Sequence, residues 1–334
     1  MLKLIPINIK NSKSKSPMRP KVNINNKIKP HFYVINFASD EESICKMEMK
    51  SLFNKVPNKK YFFSYHQIDP TRSPFIKQCI SIIYTGNALE DIICQIKADR
   101  LSYEDFKVCY MNYGNENVGY EERRKIEYLI GQNINGEAEL HSPKLLLGIT
   151  KVHKKWIFGE YRANNAAWQQ HQRKPYDYSN ALGVRVARAI VNIAVSNDLK
   201  CSAIDPCCGI GTILIEALSL GINIEGYEIN SMIGENAKKN LKYFDYKDVV
   251  IIDDMNNINK KFDVSIIDMP YGLFSPTTLE QQLSIIKKAR EISNKMVIIT
   301  FENMDKHIIA SGFNIVDRCD VSKGKFKRYI TICT

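Results

Sequence analysis

In the carboxyl-terminal half of this chain, short apolar runs alternate with longer amphipathic stretches. The runs near 201–205, 223–228, 249–253, 262–268 and 295–300 are rich in Ile and Val and too short for helices. Between them, near 181–196, 212–220, 231–243 and 278–292, apolar residues recur at helical spacing. Asn230 or Ser231 supplies a cap for the third of these helices. Fully apolar strands alternating with helices predict a parallel sheet, wound on both faces by right-handed crossovers. The pattern changes at the end. A strand over 313–320, the turn Ser322-Lys323-Gly324-Lys325 and a strand over 329–333 predict an antiparallel hairpin that finishes the sheet. Upstream, 32–37 and 61–65 read as strands and 41–53 as a helix. From 103 to 159 the order is strand, helix, strand, strand, carried by Phe106-Lys107-Val108, Leu129-Ile130-Gly131, the run 145–149 and the run 156–159.

The first strand-to-helix junction of the carboxyl-terminal half reads Asp205-Pro206-Cys207-Cys208-Gly209-Ile210-Gly211-Thr212. Gly209 and Gly211 let the backbone approach a ligand, and the helix start presents free N–H groups. Glu228, at the end of the next strand, is placed to accept ribose hydroxyls of an adenosine-type cofactor. A dinucleotide turn would need a glycine at 214, where the chain has Leu214, and a P-loop would need a lysine after Gly211. An Asp-Pro lead into Gly-x-Gly suits S-adenosylmethionine, which has no pyrophosphate and whose cationic methionine end can face Asp205. Taken alone, the turn also fits an ordinary strand-to-helix connection.

A second motif, Asp268-Met269-Pro270-Tyr271-Gly272, closes the strand near 262–268. Ligands of open parallel sheets bind beyond the carboxyl ends of the strands, so Asp268 and Glu228 point to one crevice. An exocyclic amine is a poor nucleophile because its lone pair is delocalised into the ring. Asp268 and a backbone carbonyl near Pro270 can hold its N–H bonds and leave the lone pair aimed at a methyl donor, while Tyr271 stacks on the base. The catalytic set expected on this basis is Asp268, Pro270 and Tyr271. A plain turn after a buried strand is the alternative reading of the motif by itself.

Together the two motifs resemble the catalytic domain of S-adenosylmethionine-dependent RNA methyltransferases that act on the exocyclic N2 of guanine. More narrowly, the chain is similar to the THUMP-containing tRNA guanine-N2 methyltransferases, whose best-known target is guanine 10. The family form of the catalytic motif is Asp/Asn-Pro-Pro-Tyr/Phe, and here Met269 replaces the first proline. Arg173-Lys174-Pro175-Tyr176, Asn180-Ala181-Leu182 and the stretch from Ala187 to Asn192 also match the family's lead-in, a segment that packs over the methionine end of the cofactor. The resemblance implies cofactor contacts from Asp205, Pro206, Cys207, Gly209, Gly211, Thr212, Glu228 and Asp268, with Asp254 at the adenine amino group. It implies an α/β chain in which a ferredoxin-like unit (31–80), a THUMP-like RNA-binding unit (81–159) and a linker (160–180) precede a Rossmann-like methyltransferase domain (181–334). The implied partner is tRNA, with a small activating protein subunit as a further possible requirement. The motif leaves a ribosomal-RNA guanine-N2 or adenine-N6 methyltransferase open, as well as a non-catalytic RNA-binding protein.

Composition adds limits. The net charge is +11 and the pI about 9.0, which favours a polyanionic partner. Lys3, Lys10, Lys13, Lys15, Arg19, Lys21, Lys27 and Lys29 supply eight of those charges, with no acid among residues 1–30. With Pro6, Pro17, Pro20 and Pro30, that segment reads as a disordered, solvated tail. The remainder is only mildly basic. No apolar run reaches membrane-spanning length and no secretory signal is evident. The nine cysteines form no paired C-x-x-C motifs and the six histidines no ligand cluster, so no metal is expected and a reduced, cytoplasmic setting is.

Overall fold

The computed structural model describes residues 29–114, 118–178, 181–270, 277–323 and 326–334. The basic tail expected over 1–30 lies almost wholly outside them, as do Tyr271 and Gly272 of the second motif. The amino-terminal half runs β1 (His31–Ile35), α1 (Glu42–Phe53), β2 (Tyr61–Ser64), β3 (Ile76–Gly86), α2 (Leu89–Ala98), β4 (Phe106–Tyr110), α3 (Tyr120–Gly131), β5 (Leu145–Val152) and β6 (Lys155–Ala163). These strands make one six-stranded sheet in the order β2-β1-β3-β6-β5-β4. β3 crosses the boundary at 80/81 expected from the sequence and pairs with both β1 and β6, so the two stretches share a single sheet.

The carboxyl-terminal half continues with α4 (Val184–Val195), β7 (Ser202–Asp205), α5 (Thr212–Ser219), β8 (Asn223–Glu228), α6 (Ser231–Tyr243), β9 (Val250–Ile252), β10 (Phe262–Asp268), α7 (Leu279–Ile292), β11 (Ser293–Thr300), α8 (Asp305–Ala310), β12 (Ile315–Lys323) and β13 (Phe326–Cys333). Its seven strands lie in the order β12-β13-β11-β10-β7-β8-β9. β7 to β11 are parallel, and β13 adds antiparallel to β11 and β12. This is the wound sheet and closing hairpin that the sequence pattern predicts, with hairpin strands longer than expected.

Alternation along the strands explains the layers. Ala203, Val264, Ile266, Val297 and Ile299 face a core built with α4, α5 and α6. Ile267, Met296 and Ile298 face the other side, against Ile286 and Ala289 of α7 and Ile308 of α8. Local chemistry fixes the ends. Asn230 caps α6 by accepting from the N–H groups of Met232 and Ile233 at 3.0 and 3.2 Å. Thr278 and Gln281 form a capping box at α7. α7 passes directly into β11, since Ile292 ends one and Ser293 begins the other. The halves meet where α1 packs on α4, inside a core that holds Tyr33, Leu52 and Phe53 together with Ile190 and Ile193.

The stretch 160–180, expected as a polar linker, is packed for much of its length. β6 extends to Ala163, and a 3-10 turn over Ala167–Arg173 buries Trp168 and His171. Gln169, Gln170 and Arg173 stay exposed. The reason is a set of long-range partners. His171 Nδ1 lies 2.6 Å from the buried Glu216 of α5, whose other oxygen accepts from Arg188 of α4 at 3.0 Å. Arg188 also donates to the carbonyls of Thr71 and Arg72, so the amino-terminal half is hydrogen-bonded to the helix α4, which also holds the acid of α5.

Candidate active site

Three carboxylates converge at the carboxyl ends of adjacent parallel strands. Asp205 ends β7, Glu228 ends β8 and Asp268 ends β10. Asp205 is 1% exposed and accepts from the N–H of Cys207 at 3.3 Å. Burial, then the nearby Asp268 and Glu228, holds its carboxyl well above the usual carboxylate range. Glu228 bridges the loop, accepting from Gly209 N–H at 3.0 Å through one oxygen and Asn230 N–H at 2.8 Å through the other. Burial raises it against those hydrogen bonds.

Asp268 is the least satisfied of the three. Its Oδ1 is buried and has no hydrogen-bond partner among the described residues. Burial pushes the carboxyl up to about 7, with the guanidinium of Arg328, on β13, acting in the opposite sense. Arg328 itself lies over the ring of Phe301, 5.2 Å from its centroid. Met269 N–H donates to Ile299 O at 3.0 Å, tying the turn to β11, and the carbonyl of Pro270 accepts from the hydroxyl of Thr277 at 2.8 Å. One lone pair of the carbonyl expected to hold the substrate amine is thereby engaged. Tyr271, the third expected catalytic residue, lies outside the described residues.

The glycine turn is shaped around open space. Gly209 has φ 54°, and a Cβ added there meets no atom within 4 Å. Gly211 has φ 81° and starts α5, while Pro206 is buried behind the turn. Thr212 Oγ1, at the first position of α5, is buried and without a partner among the described residues. Asp205, Glu228 and Asp268 thus stand at neighbouring strand ends beside a positive-φ glycine with an open flank, and among the described residues no cation acts on Asp205 or Glu228. That combination fits a ligand with a polar, cationic end. Cys207 and Cys208 are held well above the usual thiol range, mainly by burial and then by Asp205, so neither is an activated nucleophile.

Asp254 also holds a local turn. It sits just past β9 as sequence predicts, and its Oδ1 accepts from Asn256 N–H at 2.8 Å and Asn256 Nδ2 at 2.9 Å, capping the turn Met255–Asn257. The cap orients the carboxylate through that one oxygen.

Residues that sequence reading did not single out also frame the site. Asn240 of α6 holds Tyr176 through both backbone groups at 2.9 Å and donates to Ile210 O, inside the glycine turn, at 3.0 Å. The segment after Arg173 is thus fastened to the turn. Phe301, Glu302 and Gln282 line a cavity with Met269 and Pro270. Phe301 and Glu302 are brought beside Met269 by the parallel register of β10 and β11 and Gln282 by the packing of α7, for which no local motif exists.

Residues 171–297 match the UPF0020 family, described as RMKL-like, methyltransferase domain. A tRNA (guanine(10)-N2)-dimethyltransferase of Pyrococcus abyssi is 27% identical over 216 residues, 59% of this chain and 64% of that protein. One of Methanothermobacter thermautotrophicus is 24% identical over 245 residues, 67% of this chain and 72% of that protein. The chain therefore spans slightly less than two thirds of the Pyrococcus relative. The solved structure of TrmN from Thermus thermophilus aligns over 91% of this chain and 99% of its own, with a TM-score of 0.45 at 13% identity. The resemblance read from the two motifs thus meets relatives of that description, and the match to the RMKL-like methyltransferase domain of UPF0020 takes in both motifs.

Proposed function

We propose that this chain transfers a methyl group from S-adenosylmethionine to the exocyclic N2 amine of a guanine in tRNA, with position 10 as the first candidate. The observation that carries the reading is Asp268, a buried carboxylate with an unpartnered oxygen at a strand end, followed by Met269-Pro270 and flanked by an open glycine turn. Bound there, the cofactor supplies an electrophilic methyl group. Asp205 faces its cationic end, Gly209 admits it without a side chain in the way, and Glu228 reaches its ribose hydroxyls. Asp254 stands at the adenine side, and Thr212 offers a hydroxyl at the start of α5. Asp268 accepts one N–H of the amine, fixing its lone pair toward the methyl group. The nitrogen is positively charged after transfer and sheds a proton, which a carboxylate titrating near 7 can take. Most of the acceleration comes from holding amine and methyl in line. The target guanine has to leave its stack to reach this depth.

A polyanionic partner is supported by the amino-terminal half. Lys55, Lys59, Lys60, Lys151, Lys154 and Lys155 are all exposed, and among the described residues none has an ion-pair partner. Tyr61 joins the two groups, its hydroxyl 3.1 Å from His153 Nε2 at the β5–β6 turn. Phe63 and Tyr65 are exposed beside them. Cations interleaved with aromatic rings suit phosphates and bases, and this half is the THUMP-like, tRNA-holding part of the reading. Replacing the six lysines by Ala should flatten the salt dependence of tRNA binding by about 0.9 in slope for every phosphate left unneutralised. No helix among the described residues is long and apolar enough to cross a membrane. The nine free cysteines support a reducing, cytoplasmic setting as part of the proposal.

The test is incubation of the purified chain with S-adenosylmethionine and unmodified tRNA transcripts, followed by mass spectrometry of the digested nucleosides. N2-methylguanosine is the expected product. N6-methyladenosine instead overturns the target base, and no product with tRNA shifts the reading to an activating subunit, a ribosomal substrate or a non-catalytic role.

A further inference from the structure

A cavity next to the Met269-Pro270 turn is lined by both apolar and polar residues. It measures about 150 Å³. It is lined by Met269 and Pro270 after β10, by Gln282 from the first turn of α7, and by Thr300, Phe301, Glu302 and Met304 at and beyond the end of β11. The β11 wall is pinned, because Thr300 donates its hydroxyl to Glu302 O at 2.7 Å. Gln282 is fixed at its backbone, donating to Thr278 O at 3.0 Å within a capped helix. Glu302, exposed just past β11, and Gln282, half-buried on α7, thus both line a space that begins one residue after Asp268. Flat apolar surfaces with a few convergent polar groups suit a planar heterocycle.

We propose that this cavity receives the hydrogen-bonding edge of the target guanine, with Glu302 accepting from N1–H and Gln282 donating its amide N–H to O6. The two side chains are then the determinants of base choice. The inference rests on the guanine-N2 reading, which sets Asp268 at the 2-amine. Guanine presents along this edge an acceptor, a donor and the amine. Adenine presents an amine donor, then a bare ring nitrogen. A carboxylate facing that ring nitrogen would oppose lone pair to lone pair, and a donor facing an amine would oppose hydrogen to hydrogen. A site built around hydrogen bonds to the substrate rejects analogues that cannot complete them far more strongly than a pocket that reads shape.

The experiment uses the full chain and tRNA whose methylated guanine, once mapped, is replaced by 2-aminopurine. That base keeps an amine at ring position 2 but lacks both N1–H and O6. The wild type should lose on the order of a hundredfold in kcat/KM on the substituted RNA. Glu302→Ala and Gln282→Ala should each lose on guanine but little on 2-aminopurine, so that the preference shrinks toward unity in the double variant. Glu302→Gln keeps an acceptor and should retain part of the preference. Calorimetric binding of S-adenosylmethionine, unchanged in every variant, certifies the fold. Variants that keep the full preference, or that lose equally on both RNAs, overturn the pocket while leaving guanine methylation intact. A wild type that methylates no guanine overturns the underlying reading, and the pocket with it.

Discussion

Two groups of buried acids in this protein are treated in opposite ways. Beneath the junction of the halves, Glu216 is met by Arg188 at 3.0 Å and His171 at 2.6 Å. At the strand ends, Asp268 keeps an oxygen without a partner, and Asp205 has for company mainly a backbone N–H and two other acids. A buried charge without a partner is costly, so a fold that leaves these acids unpaired at the strand ends, where ligands of open parallel sheets bind, marks them as a candidate functional site. Glu48 of α1 stands between the cases. It is fully buried and accepts from Ser73 Oγ at 2.6 Å and Asn192 Nδ2 at 2.7 Å, yet burial raises its carboxyl to about 7.

The comparison breaks most visibly at Asp268. Asp268→Ala should cost about a thousandfold or more in kcat while tRNA binding survives; turnover near wild type would sink the assignment. A pH series sharpens the point. Because the free carboxyl titrates near 7, kcat/KM should fall as pH drops through that region, with a cationic cofactor moving the limb lower, and Asp268→Asn should abolish the limb.

At the junction the expected loss is in stability. Arg188→Ala strands Glu216 in the core and should lower the unfolding free energy by about 3–5 kcal/mol in denaturant titrations. A shift below about 1 kcal/mol would mean that His171 alone satisfies the acid. Glu48 gives a smaller, pH-dependent effect. Its folded carboxyl holds a proton that the unfolded chain releases, so its contribution is present below about 4.5 and lost as pH rises to about 7, a fall of about 3 kcal/mol. The difference in stability between wild type and Glu48→Gln should follow that curve. The smallest change expected is at Asp254, where Asp254→Ala removes a cap worth about 1 kcal/mol and weakens cofactor binding.

What is legible in the sequence follows the range of the interactions. β8, β10 and α6 occupy the expected residues because strand composition, the Asn230 cap and the glycine turn are local signals. Asp205, Glu228 and Asp268 come together because a parallel sheet brings all its carboxyl ends to one edge. Residues 160–180 read as a linker because nothing nearby shows that His171 will find Glu216, 45 positions away. Arg328 is invisible for the same reason, since it approaches Asp268 only through the pairing of β13 with β11. Gln282 and Glu302 share a cavity because α7 and β11 fold back on each other, and neither carries a motif.

The seam between α7 and β11 has an evolutionary consequence. With no residue between Ile292 and Ser293, the segment from Thr278 to Thr300 behaves as a folded ruler whose two ends return to the same rim. Adding or removing one residue would swing one arm by about 100° or turn every side chain of the other to the opposite face. Length variation among descendants of this chain should therefore gather elsewhere, and the spacing of this one segment should be inherited unbroken.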